Sequence, residues 1–156
     1  MELNIRKAIA KDIDMVAEIY DRILDNEERT GKVYTNWKKG LYPTKNDALA
    51  ALDAGTLYVG EAEGKGLACV KHGSETIRWS NDAEGNEVLV IHTLCIPPEC
   101  AGKGFGRQFV EFSEKLAKEQ GCRAVRLDTY EGNAPAASLY TKMGFTFVGS
   151  EDFNFQ

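Results

Sequence analysis

Residues 94–106 read LCIPPECAGKGFG and connect the most apolar run of the chain to a predicted helix. Glycines alternate with other residues between positions 102 and 106. A strand that leads through such a turn into a helix directs several free backbone N–H groups and the positive helix end at one spot. Glycine lets an anion approach these amides closely, and Lys103 and Arg107 supply positive charge at the rim. The stretch therefore predicts a site for an anionic group such as a pyrophosphate.

Two familiar phosphate loops do not fit this spacing. The dinucleotide fingerprint G-x-G-x-x-G requires a glycine where Phe109 stands, and the P-loop requires one at Pro97. The remaining alternative is a glycine-tolerant turn with solvated basic residues. Glycine in the first turn of a helix costs up to about 1 kcal/mol relative to alanine, so the repeated glycines favour the anion site.

Length and composition fit one globular domain over residues 1–156. The chain has 156 residues, of which 43% are hydrophobic and 28% are charged, and its formal net charge is −5. A chain of this length buries enough surface to fold without disulfides or a structural metal. Acidic residues outnumber basic ones and no Lys or Arg run exceeds two residues, so we expect neither nucleic acid nor a membrane as a partner.

The expected location is the cytoplasm, where thiols stay reduced. The first ten residues include Glu2, Arg6 and Lys7 and have no apolar stretch of signal-peptide length, and no window reaches about 18 apolar residues. The cysteines form no C-x-x-C pair and lie in or beside apolar runs, which predicts reduced, mostly buried thiols. The cysteines are Cys69, Cys95, Cys100 and Cys122.

Apolar periodicity and turn residues predict strands and helices along the whole chain. We expect an opening strand, a helix capped by Asp12, and a second helix that Thr44 and Asp47 open and Gly55 ends. A meander of strands follows, and then the helix after the glycines and a last short helix at 133–143. The predicted strands are residues 3–8, 56–61, 67–72, 76–80, 88–96, 123–129 and 145–148, with Phe153 and Phe155 on a last edge.

This order of elements and two motifs resemble the GNAT superfamily of N-acetyltransferases. Residues 101–106 resemble its pyrophosphate-binding motif R/Q-x-x-G-x-G/A, and residues 94–98 look like its fourth strand with the Pro turn that follows. Residues 133–145 read N-x-x-A-x-x-L-Y-x-x-M-G-F and are similar to its second cofactor motif. One departure is Ala101, which stands where the family usually has Arg or Gln. The similarity covers nearly the whole chain.

The resemblance implies an α/β fold with a mixed, mostly antiparallel, twisted sheet that is splayed between strands 4 and 5 and has helices on both faces. It implies acetyl-CoA as cosubstrate, paired with the fourth strand as an added strand would be. It also implies direct transfer of the acetyl group to a primary amine of a small molecule or peptide, with no metal. The cofactor-binding residues that it implies are Leu94, Cys95, Ile96, Ala101, Gly102, Lys103, Gly104, Phe105, Gly106, Arg107, Asn133, Ala136 and Tyr140.

Two catalytic roles follow from the resemblance: Tyr140 donates a proton to the leaving thiolate, and His92 accepts one from the amine. A phenol with a pKa near about 10 is protonated at neutral pH and can donate to a thiolate whose conjugate acid has a pKa near about 8.5. His92 is expected to share the strand parity of Val90, Leu94 and Ile96. The alternatives are a core tyrosine, a half-buried strand histidine, and Glu87 as the base. Cys95 is expected to lend its backbone rather than to act as a nucleophile.

The acceptor side is predicted in the region between the first two helices. Trp37 and Tyr42 form an aromatic wall there or pack as ordinary core, and Trp79 is a third substrate-binding candidate. The acidic excess is compatible with a cationic amine. Alternative functions are a non-catalytic acyl-CoA-binding regulatory module and transfer of another acyl group or to an oxygen acceptor. Exposed edges at residues 146–155 predict a homodimer across the C-terminal strands.

Overall fold

The fold is taken from a computed structural model, which describes residues 2–32, 37–73, 88–122, 124–127 and 133–145. Within these ranges no helix is both long enough and apolar enough to cross a membrane. The predicted strand at 76–80 and the C-terminal edge at 146–155 lie outside them. The elements are β1 (Asn4–Lys7), α1 (Ile13–Thr30), α2 (Lys45–Ala54), β2 (Leu57–Ala62), β3 (Lys65–Gly73), β4 (Val88–Cys95), α3 (Phe105–Glu119), β5 (Ala124–Leu127) and α4 (Ala134–Lys142).

The strands form one sheet in the order β1-β2-β3-β4-β5. Neighbours are antiparallel from β1 to β4, whereas β4 and β5 are parallel. The predicted mixed, mostly antiparallel sheet is therefore confirmed. Parallel neighbours require a crossover connection, and α3 provides it between β4 and β5. The glycine-rich turn consequently lies at the end of β4, where this crossover begins.

Strands β2 and β3 form an antiparallel hairpin, and their connection is shorter than the gap between the predicted strands at 56–61 and 67–72. Lys65 and Gly66 already pair with β2, so only Glu63 and Gly64 link the two strands. These two residues have φ angles of 55° and 77°. Positive φ at both central residues is typical of the tight hairpin turns that match the twist of the flanking strands.

The first two helices begin in different ways. At α2 the predicted capping box is present, since the Thr44 N–H donates to Asp47 Oδ2 at 2.7 Å. Asp12 occupies the N-cap position of α1, as predicted, but its side chain makes no capping hydrogen bond to that helix. The carboxylate instead accepts from the Ile9 N–H at 2.8 Å and from the Arg6 guanidinium at 2.8 and 3.0 Å. The hydrogen-bonded Arg6 lowers the pKa of the Asp12 carboxyl.

Helices cover both faces of the sheet, as predicted. On the face we call the α1 face, Val16 and Tyr20 of α1 pack with Cys69 of β3. On the opposite face, the α3 face, Phe109 of α3 packs with Val70 of β3. The adjacent β3 residues belong to different clusters because successive strand residues point to opposite sides of a sheet. The two layers of apolar contacts hold α1 and α3 on either side of β4.

Candidate active site

The glycine-rich stretch forms an exposed turn directly before α3. Residues 101–104 are exposed, and Gly102 and Gly104 have φ angles of 78° and 79°, which residues with side chains rarely adopt. A Cβ atom at either glycine would meet nothing within 4 Å, so the backbone there borders open space. The N-cap residue of α3 is Gly104, which has no side chain with which to cap the helix. The first-turn N–H groups, which a helix cannot satisfy internally, are thus placed to bind an external anion.

Gly106 serves the packing of α3 against α4. A Cβ atom at Gly106 would lie 3.0 Å from Leu139 Cδ2, closer than ordinary van der Waals contact. Phe105 is buried beside it. The contact brings the glycine turn next to the helix that carries Tyr140, the residue after Leu139. The contact of Gly106 with a cofactor stays a prediction. The close approach of Leu139 already explains why this position is glycine.

β4 contains a β-bulge within the segment predicted to bind the cofactor. His92 is opposite Lys71 of β3, whereas Cys95, three residues later, is opposite Cys69, only two residues away. β4 therefore has one residue more than β3 over this interval. Thr93 lies in it with a φ of 46°, an unusual backbone conformation for a β-branched residue. The bulge redirects the side chains that follow it.

Within the described residues, β4 pairs with β5 from Val88 with Ala124 to Ile91 with Leu127, and β4 continues to Cys95. Residues 128–132, which follow β5, lie outside the described ranges. The predicted opening between strands 4 and 5, beside residues 92–95 of β4, therefore stays a prediction. Strand backbone left open on one side can bind an extended, amide-containing ligand as an added strand.

The bulge separates His92 from Leu94, so the expected shared parity is wrong. Lys71, opposite His92, is two residues from Cys69, which packs on the α1 face. Leu94 packs with the cluster of the α3 face. The extra residue at Thr93 reverses the alternation of side chains, which a regular strand would have kept. His92 therefore lies on the α1 face.

Two of the predicted acceptor-side aromatic residues meet at the bulge. The Tyr42 hydroxyl and Thr93 Oγ1 form a hydrogen bond of 2.6 Å. The Trp37 ring contacts Tyr42 edge to face, with centroids 6.4 Å apart and an interplanar angle of 75°. Trp37 is also half-buried against the α1-face cluster, so it has a packing role as well. Trp79, the third substrate-binding candidate, and Glu87, the alternative base, lie outside the described residues.

The two predicted residues of α4 have clear structural roles. Asn133 caps the helix, because its Oδ1 accepts a hydrogen bond from the Ala136 N–H at 3.1 Å. Tyr140 is buried in the α3-face core and contacts Phe145 edge to face, with centroids 6.2 Å apart. A cap formed by the Asn133 side chain does not exclude a contact of the same residue with the cofactor. The proton-donor role of Tyr140 and the cofactor contacts of both residues stay predictions.

The cysteines are free thiols. Three are buried and Cys122 is half-buried, as expected from their apolar surroundings. Burial raises the pKa of the Cys95 thiol, so little nucleophilic thiolate forms at neutral pH. This agrees with the interpretation of Cys95 as a backbone position. In the described part of the chain, no three His, Cys, Asp or Glu side chains form a group that could hold a metal ion.

A buried histidine that sequence reasoning missed lies next to this region. His72 Nε2 is 2.9 Å from Ser113 Oγ, and that hydroxyl donates to the Phe109 carbonyl at 2.9 Å. Because Ser113 uses its only hydrogen there, His72 Nε2 carries the proton and donates to the serine. Burial, and secondarily the charge of His92, lower the pKa of His72 to about 4. The available signal was Ser113, a polar residue on the otherwise apolar face of α3.

A mixed sheet with a parallel β4–β5 pair, joined by a crossover helix that starts at a glycine turn, matches the fold of acetyltransferase domains. The chain belongs to the acetyltransferase (GNAT) family, whose model matches residues 15–145. The structural neighbours have the same fold. The resemblance drawn from the sequence is thereby confirmed at the level of the family and the fold.

Three relatives illustrate this similarity. Streptothricin acetyltransferase of Escherichia coli is 33% identical over 78 residues, which are 50% of this chain and 41% of that protein. An uncharacterised N-acetyltransferase of Methanocaldococcus jannaschii is 27% identical over 148 residues, 91% of this chain and 60% of that protein. The chain thus spans less than two thirds of either protein. The structure of AAC(6')-Iy with a CoA bisubstrate analogue superposes with a TM-score of 0.70 at 16% identity, covering 100% of this chain and 99% of that one.

Proposed function

We propose that this chain transfers the acetyl group of acetyl-CoA to a primary amine of a small molecule or peptide by direct attack. The observation that carries the proposal is the exposed turn of Gly102 and Gly104 before α3, at the start of the crossover from β4 to β5. The Methanocaldococcus relative is named as an N-acetyltransferase, which supports an amine as the acceptor. The AAC(6')-Iy structure contains a CoA analogue, which supports the choice of cosubstrate.

The residues of the turn fit a pyrophosphate. Gly102 and Gly104 keep side chains away from the uncapped N–H groups at the start of α3. Lys103 and Arg107 are exposed at the rim and add cationic donors for charge-assisted hydrogen bonds. Ala101 supplies no such donor, and the backbone N–H groups do not depend on it. Acetyl-CoA would contribute an activated thioester, and residues 94–96 would hold its pantetheine along β4.

The catalytic roles divide between the two faces of the sheet. His92 on the α1 face would take the proton that the ammonium form of the acceptor must lose before attack. The new bond joins the amine nitrogen to the acetyl carbon, the nitrogen loses its second proton to solvent, and the carbon–sulfur bond breaks. Tyr140 on the α3 face would then give a proton or hydrogen bond to the departing thiolate, and a proton given in this way would be replaced from solvent. Asn133, by capping α4, fixes the start of the helix that carries Tyr140.

A second candidate function is an acyl-CoA-binding regulatory module without turnover, which Ala101 in place of the usual Arg or Gln favours. Calorimetric titration with acetyl-CoA, followed by a thiol-release assay over a panel of amines, separates the two. The N-acetyltransferase proposal predicts binding and amine-dependent release of CoA. Binding without release for any amine would favour the regulatory module, and absence of binding would overturn both.

A further inference from the structure

Lys71 is a half-buried cation at the bulge of β4. Its Nζ lies 5.0 Å from the centre of the Tyr42 ring, over the ring face. Within the described ranges, no carboxylate lies at ion-pair distance from Lys71 Nζ. Among the described lysines, Lys39 and Lys45 do have such partners, Asp25 at 2.6 Å and Asp14 at 3.0 Å, and both of these lysines are exposed. An ammonium that lies over an aromatic ring, with no described carboxylate partner, is placed to bind an anion from outside.

The position of Lys71 places this charge on the acceptor side. Lys71 is directly opposite His92 on the neighbouring strand, so both side chains lie on the α1 face. Tyr42, which supports the ammonium, is hydrogen-bonded to Thr93 at the bulge. Directly opposite residues of an antiparallel pair have Cβ atoms about 5 Å apart. The ammonium and the candidate base therefore belong to one small site.

The charge of Lys71 reaches the bulged part of β4. Burial raises the pKa of the Cys95 thiol, and the Lys71 charge opposes that rise. Charges in water are screened within about 8 Å at physiological salt, so local groups outweigh the net charge of the whole chain at such a site. The acidic excess of the sequence would attract a cationic acceptor to the surface. Lys71, which is opposite His92, would repel additional positive charge at the site itself.

From this arrangement we infer that the acceptor is an amine that carries a carboxylate a few bonds from its nitrogen, as in an amino acid, and that Lys71 binds this carboxylate. The inference rests on the proposed N-acetyltransferase function. Lys71 would orient the acceptor so that its amine faces His92, while Tyr42 holds the ammonium in place. A polyamine without an anionic group would meet repulsion from Lys71 instead of a partner.

The test compares acids with their amides. Thiol release is measured for the common L-amino acids and for the same amino acids as C-terminal amides, with the wild type, Lys71→Met and Lys65→Met. Lys65 is a matched control because it lies on the same strand and is exposed. The wild type should prefer the acids by at least about tenfold in kcat/KM, since a charge-assisted hydrogen bond is lost with the amide. Lys71→Met should abolish the preference mainly through KM, Lys71→Arg should restore part of it, and Lys65→Met should leave it unchanged.

Three outcomes would overturn the inference while leaving the N-acetyltransferase proposal intact. They are a wild type that uses amides as well as acids, a preference for acids that survives Lys71→Met, and turnover only of amines without an anionic group. If no amine releases CoA, the proposed function fails and the inference fails with it. Calorimetry with acetyl-CoA on Lys71→Met checks folding, because the variant should bind the cosubstrate as the wild type does.

Discussion

Replacing Gly104 with alanine tests whether the turn before α3 binds acetyl-CoA. Gly104 has a φ of 79°, and a Cβ atom there would meet nothing within 4 Å, so alanine introduces no clash. The cost is the left-handed backbone conformation alone, about 1–2 kcal/mol for a residue with a Cβ atom. The turn can relieve this strain by moving to negative φ, which redirects the N–H groups at the start of α3. We expect the Kd for acetyl-CoA to rise at least about tenfold, equivalent to about 1.4 kcal/mol.

Gly31→Ala is the matched control for this substitution. Gly31 ends α1 with a φ of 72° and also has nothing within 4 Å of a Cβ position. Both variants should lose about 1–2 kcal/mol in free energy of unfolding, measured by urea denaturation. Only Gly104→Ala should lose affinity in acetyl-CoA calorimetry. Unchanged affinity in Gly104→Ala, or an equal loss in both variants, would refute the assignment of the turn as the pyrophosphate site.

Three further predictions concern single side chains. Tyr140→Phe should keep its acetyl-CoA affinity and lose at least about a hundredfold in kcat. Tyr58 is another buried tyrosine of the α3 face, and the control variant Tyr58→Phe should keep most of its turnover. Equal kcat in both variants would show that Tyr140 has no catalytic role. Burial lowers the pKa of His72 from 6.5 to about 4, so the unfolded state binds more protons than the folded state between these pH values. The free energy of unfolding should therefore fall by about 3 kcal/mol as the pH falls through this window. Urea titrations should show a smaller fall in His72→Gln, and an identical pH profile would contradict a buried, neutral His72. Tyr42→Phe removes the hydrogen bond to Thr93 and should raise the KM of the acceptor several-fold without changing the Kd of acetyl-CoA, and an unchanged KM would mean that Tyr42 does not shape the acceptor site.

Features set by neighbouring residues could be predicted from the sequence. The capping box at Thr44 and Asp47 depends on residues three apart, and it is present as predicted. The turn at Gly102 and Gly104 depends on backbone conformations that glycine alone adopts readily, and both have positive φ. The resemblance to the family's cofactor motifs then predicted how these strands and helices are arranged, and the family is confirmed. The fold class followed because these local preferences agree with one another.

Features set by tertiary packing could not be predicted in this way. The bulge at Thr93 has no glycine to signal it, yet it moves His92 to the face opposite Leu94. The contact of Tyr42 with Thr93 joins residues 51 positions apart in the chain. Lys71 is one of many lysines in the sequence, and only its place across from His92 distinguishes it. The positions of these side chains depend on the register between neighbouring strands. The pattern of apolar residues within one strand does not specify that register.

Transfer of an isotopically labelled acetyl group is the most direct test of the proposed activity. The wild-type protein is incubated with acetyl-CoA labelled in its acetyl carbons and with an amine that supports thiol release, and the amine is analysed by mass spectrometry. We predict a product that contains one labelled acetyl group on nitrogen, formed in equal amount to free CoA. Release of CoA with the label recovered only as acetate, or binding of acetyl-CoA with no labelled amine from any acceptor in the panel, would contradict the proposal.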